Sequence, residues 1–198
     1  MHGPDTPDFP GNAGLPRHRA LPGSTPANTY ERDGFQETLL TMYSHTGTHM
    51  DPPAHLFAGR TTLDQFPVEQ FIGRALVIHC PELREGERVP FSAVERVRPL
   101  ADQAEFLLFH TGWGRYWGTE RYFGDYPCID QGIVDYLAPE REKRAWAWIP
   151  SGWTPLLTLP EYPPASVPGS RLVVMENLAN LDRSEMGCSR CLPCPCGI

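Results

Sequence analysis

Between residues 45 and 55 the chain reads His45-Thr-Gly-Thr-His49-Met-Asp51-Pro-Pro-Ala-His55, which places three imidazoles and a carboxylate within eleven residues. Neutral imidazole and carboxylate are ligands that Zn²⁺ and Mn²⁺ both accept, and no thiol competes locally. The chemistry implied is that of a metal site, and hydrolytic. His45 and His49 stand at i,i+4, yet Gly47 interrupts a helix there and Pro52-Pro53 disfavour helical geometry just before them. The side chains are therefore expected to converge from an irregular turn. Solvated surface histidines are the bland alternative, and H-x3-H-x-D-x3-H spacing among such turn residues argues against it.

The elements that position this loop follow from hydrophobic pattern. Gly34 to Tyr43 is β-compatible and delivers the chain to His45. Arg74 to Cys80 and Glu105 to Thr111 are continuous apolar runs, predicted as buried strands, the second ending at Gly112-Trp113. Pro90 to Pro99 suits a short helix, Ile129 to Leu137 a longer one, and Leu172 to Met175 a strand with Glu176 at its end. This alternation predicts an α/β domain with a mixed sheet. Residues 1–30, rich in Pro and Gly, read as an extended N-terminal arm; 31–183 read as the domain; 184–198 read as an irregular Cys-rich tail.

A chain of 198 residues with 40% hydrophobic and 11% aromatic content suffices for one domain with a core. Its formal charge of -7, with scattered acidic residues, gives no footprint for nucleic acid or an anionic membrane. No apolar run approaches the roughly 20 residues of a membrane span, and the first residues resemble no signal peptide. A small-molecule partner and a cytoplasmic location are the expectations.

The loop from His45 to His55 resembles the signature of the metal-dependent cyclase-like hydrolases, a family that includes bacterial kynurenine formamidase (arylformamidase). Leu107-Leu-Phe-His-Thr-Gly-Trp113, with Tyr116-Trp117 after it, and Val174-Met-Glu176-Asn-Leu-Ala-Asn-Leu-Asp182 resemble two further family segments. The likeness covers residues 30–137 and 171–183. It implies a swivelling β/β/α fold, one or two divalent ions (Zn or Mn), a homodimer or higher homo-oligomer, and hydrolysis of an amide or lactam-like bond in an aromatic substrate. By position it assigns His45, His49 and Asp51 as ligands, with Asp51 able to bridge, His55 as the acid/base residue, and Glu176 as ligand to a second metal. Bound Zn²⁺ lowers the pKa of water from 15.7 toward about 7, so the nucleophile exists at neutral pH. His55 would carry the proton to the departing aniline nitrogen. N-formylkynurenine, cleaved to kynurenine and formate in tryptophan catabolism, is the favoured substrate; isatin-like cyclic amides and a catalytically impaired, ligand-binding homologue are the alternatives. A serine-dependent route has no visible nucleophile elbow.

The chain departs from the family pattern in one interval. The resemblance calls for another histidine ligand about twelve residues before Glu176, where Pro164 stands, and no histidine follows His110. From 138 to 170 three of the five tryptophans arrive among prolines without helical or strand period. That loss and return of pattern reads as translation out of an ancestral frame across 138–170 and again after Arg183. Trp113, Tyr116 and Trp117 fit either an aromatic substrate wall or core packing. His79 and His110, in apolar strands, read as hydrogen-bonded core histidines. Cys188, Cys191, Cys194 and Cys196 have ligand-like spacing but lack a distant second pair.

Overall fold

In the computed structural model, which describes residues 23–55, 57–137, 145–148, 173–183 and 188–191 (145–148 and 188–191 by backbone alone), the two apolar runs lie side by side as parallel strands. In chain order the strands are β1 (Gly23–Asn28), β2 (Glu37–Thr41), β3 (His49–Asp51), β4 (Gly73–His79), β5 (Arg88–Val89), β6 (Phe106–His110), β7 (Cys128–Ile129), β8 (Ala145–Trp148), β9 (Val173–Glu176) and β10 (Cys188–Cys191). The helices are α1 (Tyr30–Asp33), α2 (Ser92–Glu95), α3 (Arg98–Gln103) and α4 (Gln131–Leu137). The principal sheet has the order β10-β4-β6-β8-β9-β3, with a parallel centre from β4 to β9 and an antiparallel strand on each edge. This is the α/β architecture with a mixed sheet that the sequence predicts.

The central strands are apolar on both faces because both faces are covered. Leu76, Ile78, Leu107 and Phe109 enter one core with Val94, Ala101, Ile133 and Leu137 of the helices. Their alternates Ala75, Val77, Phe106 and Leu108 enter a second core with Phe71, Val173 and Met175. Side chains one residue apart point to opposite faces of a strand, and burying each Leu or Phe contributes roughly 1.5–3 kcal/mol. Asp130 starts α4: its Oδ1 accepts the Ile133 N–H at 3.0 Å, an N-cap bond. Ile129, expected in that helix, pairs instead in β7.

Three expectations are corrected by the described residues. The segment Pro90 to Pro99 forms two short helices, the second carrying Pro99 in its first turn, where a missing N–H costs nothing. The patternless interval contains β8, hydrogen-bonded in parallel to both β6 and β9. The tail, read as irregular, contributes β10, antiparallel to β4 through Cys188↔Leu76 to Cys191↔Gly73. The remainder of 138–170, including Pro164, and 184–187 and 192–198 lie outside the described residues, as do residues 1–22 of the arm. No described helix is long and apolar enough to cross a membrane.

Candidate metal centre

The site is assembled by the pairing of β3 with β9, in register His49↔Glu176, Met50↔Met175, Asp51↔Val174. Directly opposed residues of an antiparallel pair share a face, so Glu176 lies beside His49, and Asp51, two residues on, falls on that face too. Met50 alternates to the other side and packs against the second core. Before β3 the loop turns through Gly47, whose φ of 65° lies in the left-handed region that favours glycine. His45 is thereby returned to the same cluster, from the irregular turn that the sequence predicts.

Ligand atoms of His45, His49, Asp51 and Glu176 all lie within 4.8 Å of one another. His49 Nε2 is 3.1 Å from His45 Nδ1, 3.7 Å from Asp51 Oδ1 and 3.5 Å from Glu176 Oε2, and His45 Nδ1 is 3.4 Å from Asp51 Oδ2. Donors held about 2.0–2.1 Å from a tetrahedral ion stand about 3.3 Å apart, so two neutral and two anionic donors here fit a divalent cation. His49 Nδ1 donates to the Gly47 carbonyl at 2.8 Å, which leaves the Nε2 lone pair turned to the cluster, the tautomer a ligand requires. Asp51 and Glu176 are both buried, and two buried carboxylates side by side demand a counter-charge. Burial of His49 acts to lower its pKa, but Asp51, the Gly47 carbonyl and Glu176 together hold it above the ordinary histidine value.

Glu176 stands with His45, His49 and Asp51 in one four-donor cluster. His55 stays outside it: the ring is exposed, and its Nδ1 is 2.9 Å from His45 Nε2. With His45 Nδ1 facing the cluster, Nε2–H of His45 donates to His55. The aromatic residues divide. Trp113 is fully buried, its ring edge-on to Tyr116 and its Nε1–H donating to the Tyr122 carbonyl at 3.1 Å, so it is core and not substrate wall. Trp117 is half-buried and packs edge-on to Tyr122. Tyr122 in turn donates its hydroxyl to Asn177, beside Glu176. Burial, then the Glu176 charge, push the Tyr122 hydroxyl pKa upward, so it stays a donor. His79 and His110 bond each other through their Nδ1 atoms at 2.9 Å, as expected of histidines in apolar strands. Burial, followed by His79, lowers the His110 pKa against the opposing charge of Asp182.

Sequence reasoning missed Tyr122 and Asn177. Asn177 carried one signal, an Asn directly after Glu176, since Asn is the side chain most tolerant of the left-handed conformation it adopts (φ 57°). Tyr122 carried none, being 55 positions from its partner.

Residues 3–147 match the sequence model of the Cyclase family, described as “Putative cyclase”. Among solved structures the chain is similar to isatin hydrolase A from Labrenzia aggregata bound to benzyl benzoate, with a TM-score of 0.74 and 22% identity over 95% of this chain and 82% of that one. It is similar to isatin hydrolase A from Ralstonia solanacearum, with a TM-score of 0.70 and 19% identity over 89% and 77% of the two chains. A protein from Bacillus stearothermophilus described as a “predicted metal-dependent hydrolase” aligns at TM-score 0.60 and 18% identity, over 86% and 76%.

Proposed function

This chain belongs to the Cyclase family, and from that premise we propose that it is a metal-dependent hydrolase cleaving an amide whose nitrogen is carried on an aromatic ring. The observation that carries the reading is the convergence of His45, His49, Asp51 and Glu176. When bound, a divalent ion, Zn²⁺ or Mn²⁺, supplies Lewis-acid stabilisation of charge on the carbonyl oxygen and an acidified water. The histidines and carboxylates orient that chemistry, and His55 moves the proton. Taking a proton at Nδ1 breaks its bond to His45 and makes His55 the acid; giving the proton to the departing nitrogen restores the bond. An aniline nitrogen leaves more readily than an alkylamine, so a single histidine suffices for the transfer. Trp117, half-buried against Tyr122, supplies an aromatic face for the substrate ring.

N-formylkynurenine is the open-chain member of this class and the substrate favoured by the His45 to His55 motif; hydrolysis yields kynurenine and formate. The likeness to isatin hydrolases favours the cyclic member, isatin, whose lactam is also an anilide. The test offers metal-loaded protein N-formylkynurenine, isatin and an alkyl formamide in parallel. Turnover of either aryl amide above the alkyl one is the expected result. Preference for the alkyl amide overturns the substrate class; no turnover of any in folded, loaded protein favours an impaired homologue.

A homodimer or higher homo-oligomer completes the reading. The β1–β2 hairpin pairs only with itself among the described strands, and Tyr30, Phe35, Leu39, Leu40, Met42 and Tyr43 on and around it are exposed. A two-stranded hairpin is marginal in water alone, and a second copy of the chain would cover this apolar surface. Sedimentation of the full chain distinguishes a dimer from the monomer that would overturn the assignment.

A further inference from the structure

We propose that Asn177 is a positioning residue that fixes the ring orientation and tautomer of His49 through the Gly47 carbonyl. The inference rests on the reading of His49 as a ligand and deepens it. Two bonds cross from Asn177 to the turn before β3, about 130 residues away in sequence. Asn177 Nδ2 donates to the Gly47 carbonyl at 3.1 Å, and Thr48 Oγ1 donates to the Asn177 carbonyl at 2.8 Å. The Gly47 carbonyl is the group that accepts His49 Nδ1–H. One oxygen, with two lone pairs, thus binds the amide of Asn177 and the ring of His49 together.

The direction of the amide is set independently. Tyr122 donates its hydroxyl to Asn177 Oδ1, an atom that only accepts. Turning the amide over would set Oδ1 against the Gly47 oxygen and forfeit the Nδ2 bond. The chain of donors therefore runs one way, from Tyr122 to Asn177 to Gly47, and the ring of His49 completes it with Nδ1–H inward and the Nε2 lone pair toward Asp51 and Glu176. Asn177 is buried at the end of β9, so water does not compete for these groups. Gly47 needs such an anchor because a glycine at φ 65° has no side chain to hold its peptide in place. Asn177 itself adopts a left-handed conformation, which Gly shares without strain and Ala does not.

That last point selects the variants. Asn177→Gly keeps the backbone and deletes the clamp; Tyr122→Phe keeps the clamp and removes what orients it. Two readouts on the full chain test the proposal. In metal-stripped protein, long-range ¹H–¹⁵N spectra of the His49 ring report its tautomer without any metal present. In titrations against a chromophoric chelator, the same proteins report Zn²⁺ affinity. The wild type is expected to keep the His49 Nδ1 proton bonded to the Gly47 carbonyl, whether or not Nε2 is also protonated; Asn177→Gly is expected to lose that Nδ1 bond and to bind Zn²⁺ about 10–100-fold more weakly, the usual cost of losing a group that orients a ligand. Tyr122→Phe, if Asn177→Gly does not fold, is expected to shift both readouts in the same direction. An unchanged His49 Nδ1 bond and Zn²⁺ affinity within twofold of wild type in both folded variants overturn the proposal. A wild type with the expected Nδ1 bond but no Zn²⁺ binding overturns the metal reading instead and leaves the clamp in place.

Discussion

Replacing Trp113 separates the two roles its position allows. The indole is fully buried in the larger core, edge-on to Tyr116 at 4.8 Å, and its N–H donates to the Tyr122 carbonyl at 3.1 Å. Trp113→Ala is expected to cost about 3–5 kcal/mol, the range for truncating a buried aromatic. For a domain of this size each kcal/mol shifts Tm by about 2–4 °C, so the fall is on the order of 6–20 °C. Trp113→Phe retains most of the apolar surface but leaves the Tyr122 carbonyl buried without its donor, at about 1–3 kcal/mol. Urea denaturation of metal-loaded protein measures both, and KM measured beside it detects a substrate role. The expected result is a graded loss of stability, Ala greater than Phe, with KM for an aryl amide within about twofold of wild type in Trp113→Phe. Stability within about 0.5 kcal/mol of wild type, accompanied by a tenfold rise in KM, would refute the core assignment and restore Trp113 to the substrate wall.

Asp51→Asn removes the strongest influence holding up the His49 pKa against burial, so that pKa falls relative to wild type; an NMR titration of metal-free protein measures it. In the metal-free wild type the raised His49 pKa contributes stability fully present below its unfolded value, 6.5, and lost as pH rises through the folded pKa. In Asp51→Asn that contribution shrinks, so the variant loses less stability than wild type between about pH 5.5 and 8, read from Tm at these two pH values. His55→Ala is expected to weaken Zn²⁺ binding about tenfold, the low end for a partner that orients a ligand because the exposed site lets water replace it on His45, while hydrolysis falls about 10²–10⁴-fold. Joint replacement of Cys188, Cys191, Cys194 and Cys196 by Ser is expected to leave the high-affinity Zn²⁺ site within about twofold; its loss would assign metal uptake to the tail.

Much of this architecture is legible wherever periodicity and burial agree. Arg74 to Cys80 and Glu105 to Thr111 read as strands because a sheet covered on both faces needs continuous apolar runs, and both became central strands. His45, His49 and Asp51 are legible by local spacing. Glu176 comes from 127 positions beyond His49 in sequence, and only the β3–β9 register shows that it joins the same cluster. Ala145 to Trp148 was illegible because four residues are too short for a period to show; the ladders of β6 and β9 on either side make it a strand. Cys188 to Cys191 is a strand for the same reason, through the free edge of β4. Trp113 carries equal apolar surface whether it lines a pocket or fills a core, so its type alone could not place it. The family match ends at residue 147, close to where the sequence pattern fades. The match through residue 147 confines our proposal of out-of-frame translation to 148–170 and the residues after Arg183, and a nucleotide sequence in which no frame shift restores a family-like peptide there would overturn it.

His45, His49, Asp51 and Glu176 are expected to hold a divalent ion on which hydrolysis depends. The most direct test is turnover of an aryl amide by metal-stripped wild type and His49→Ala, before and after addition of Zn²⁺ or Mn²⁺. The expected result is no turnover without metal, turnover restored by metal in the wild type, and none restored in His49→Ala. Equal turnover by metal-free wild type, or full restoration in His49→Ala, would contradict it.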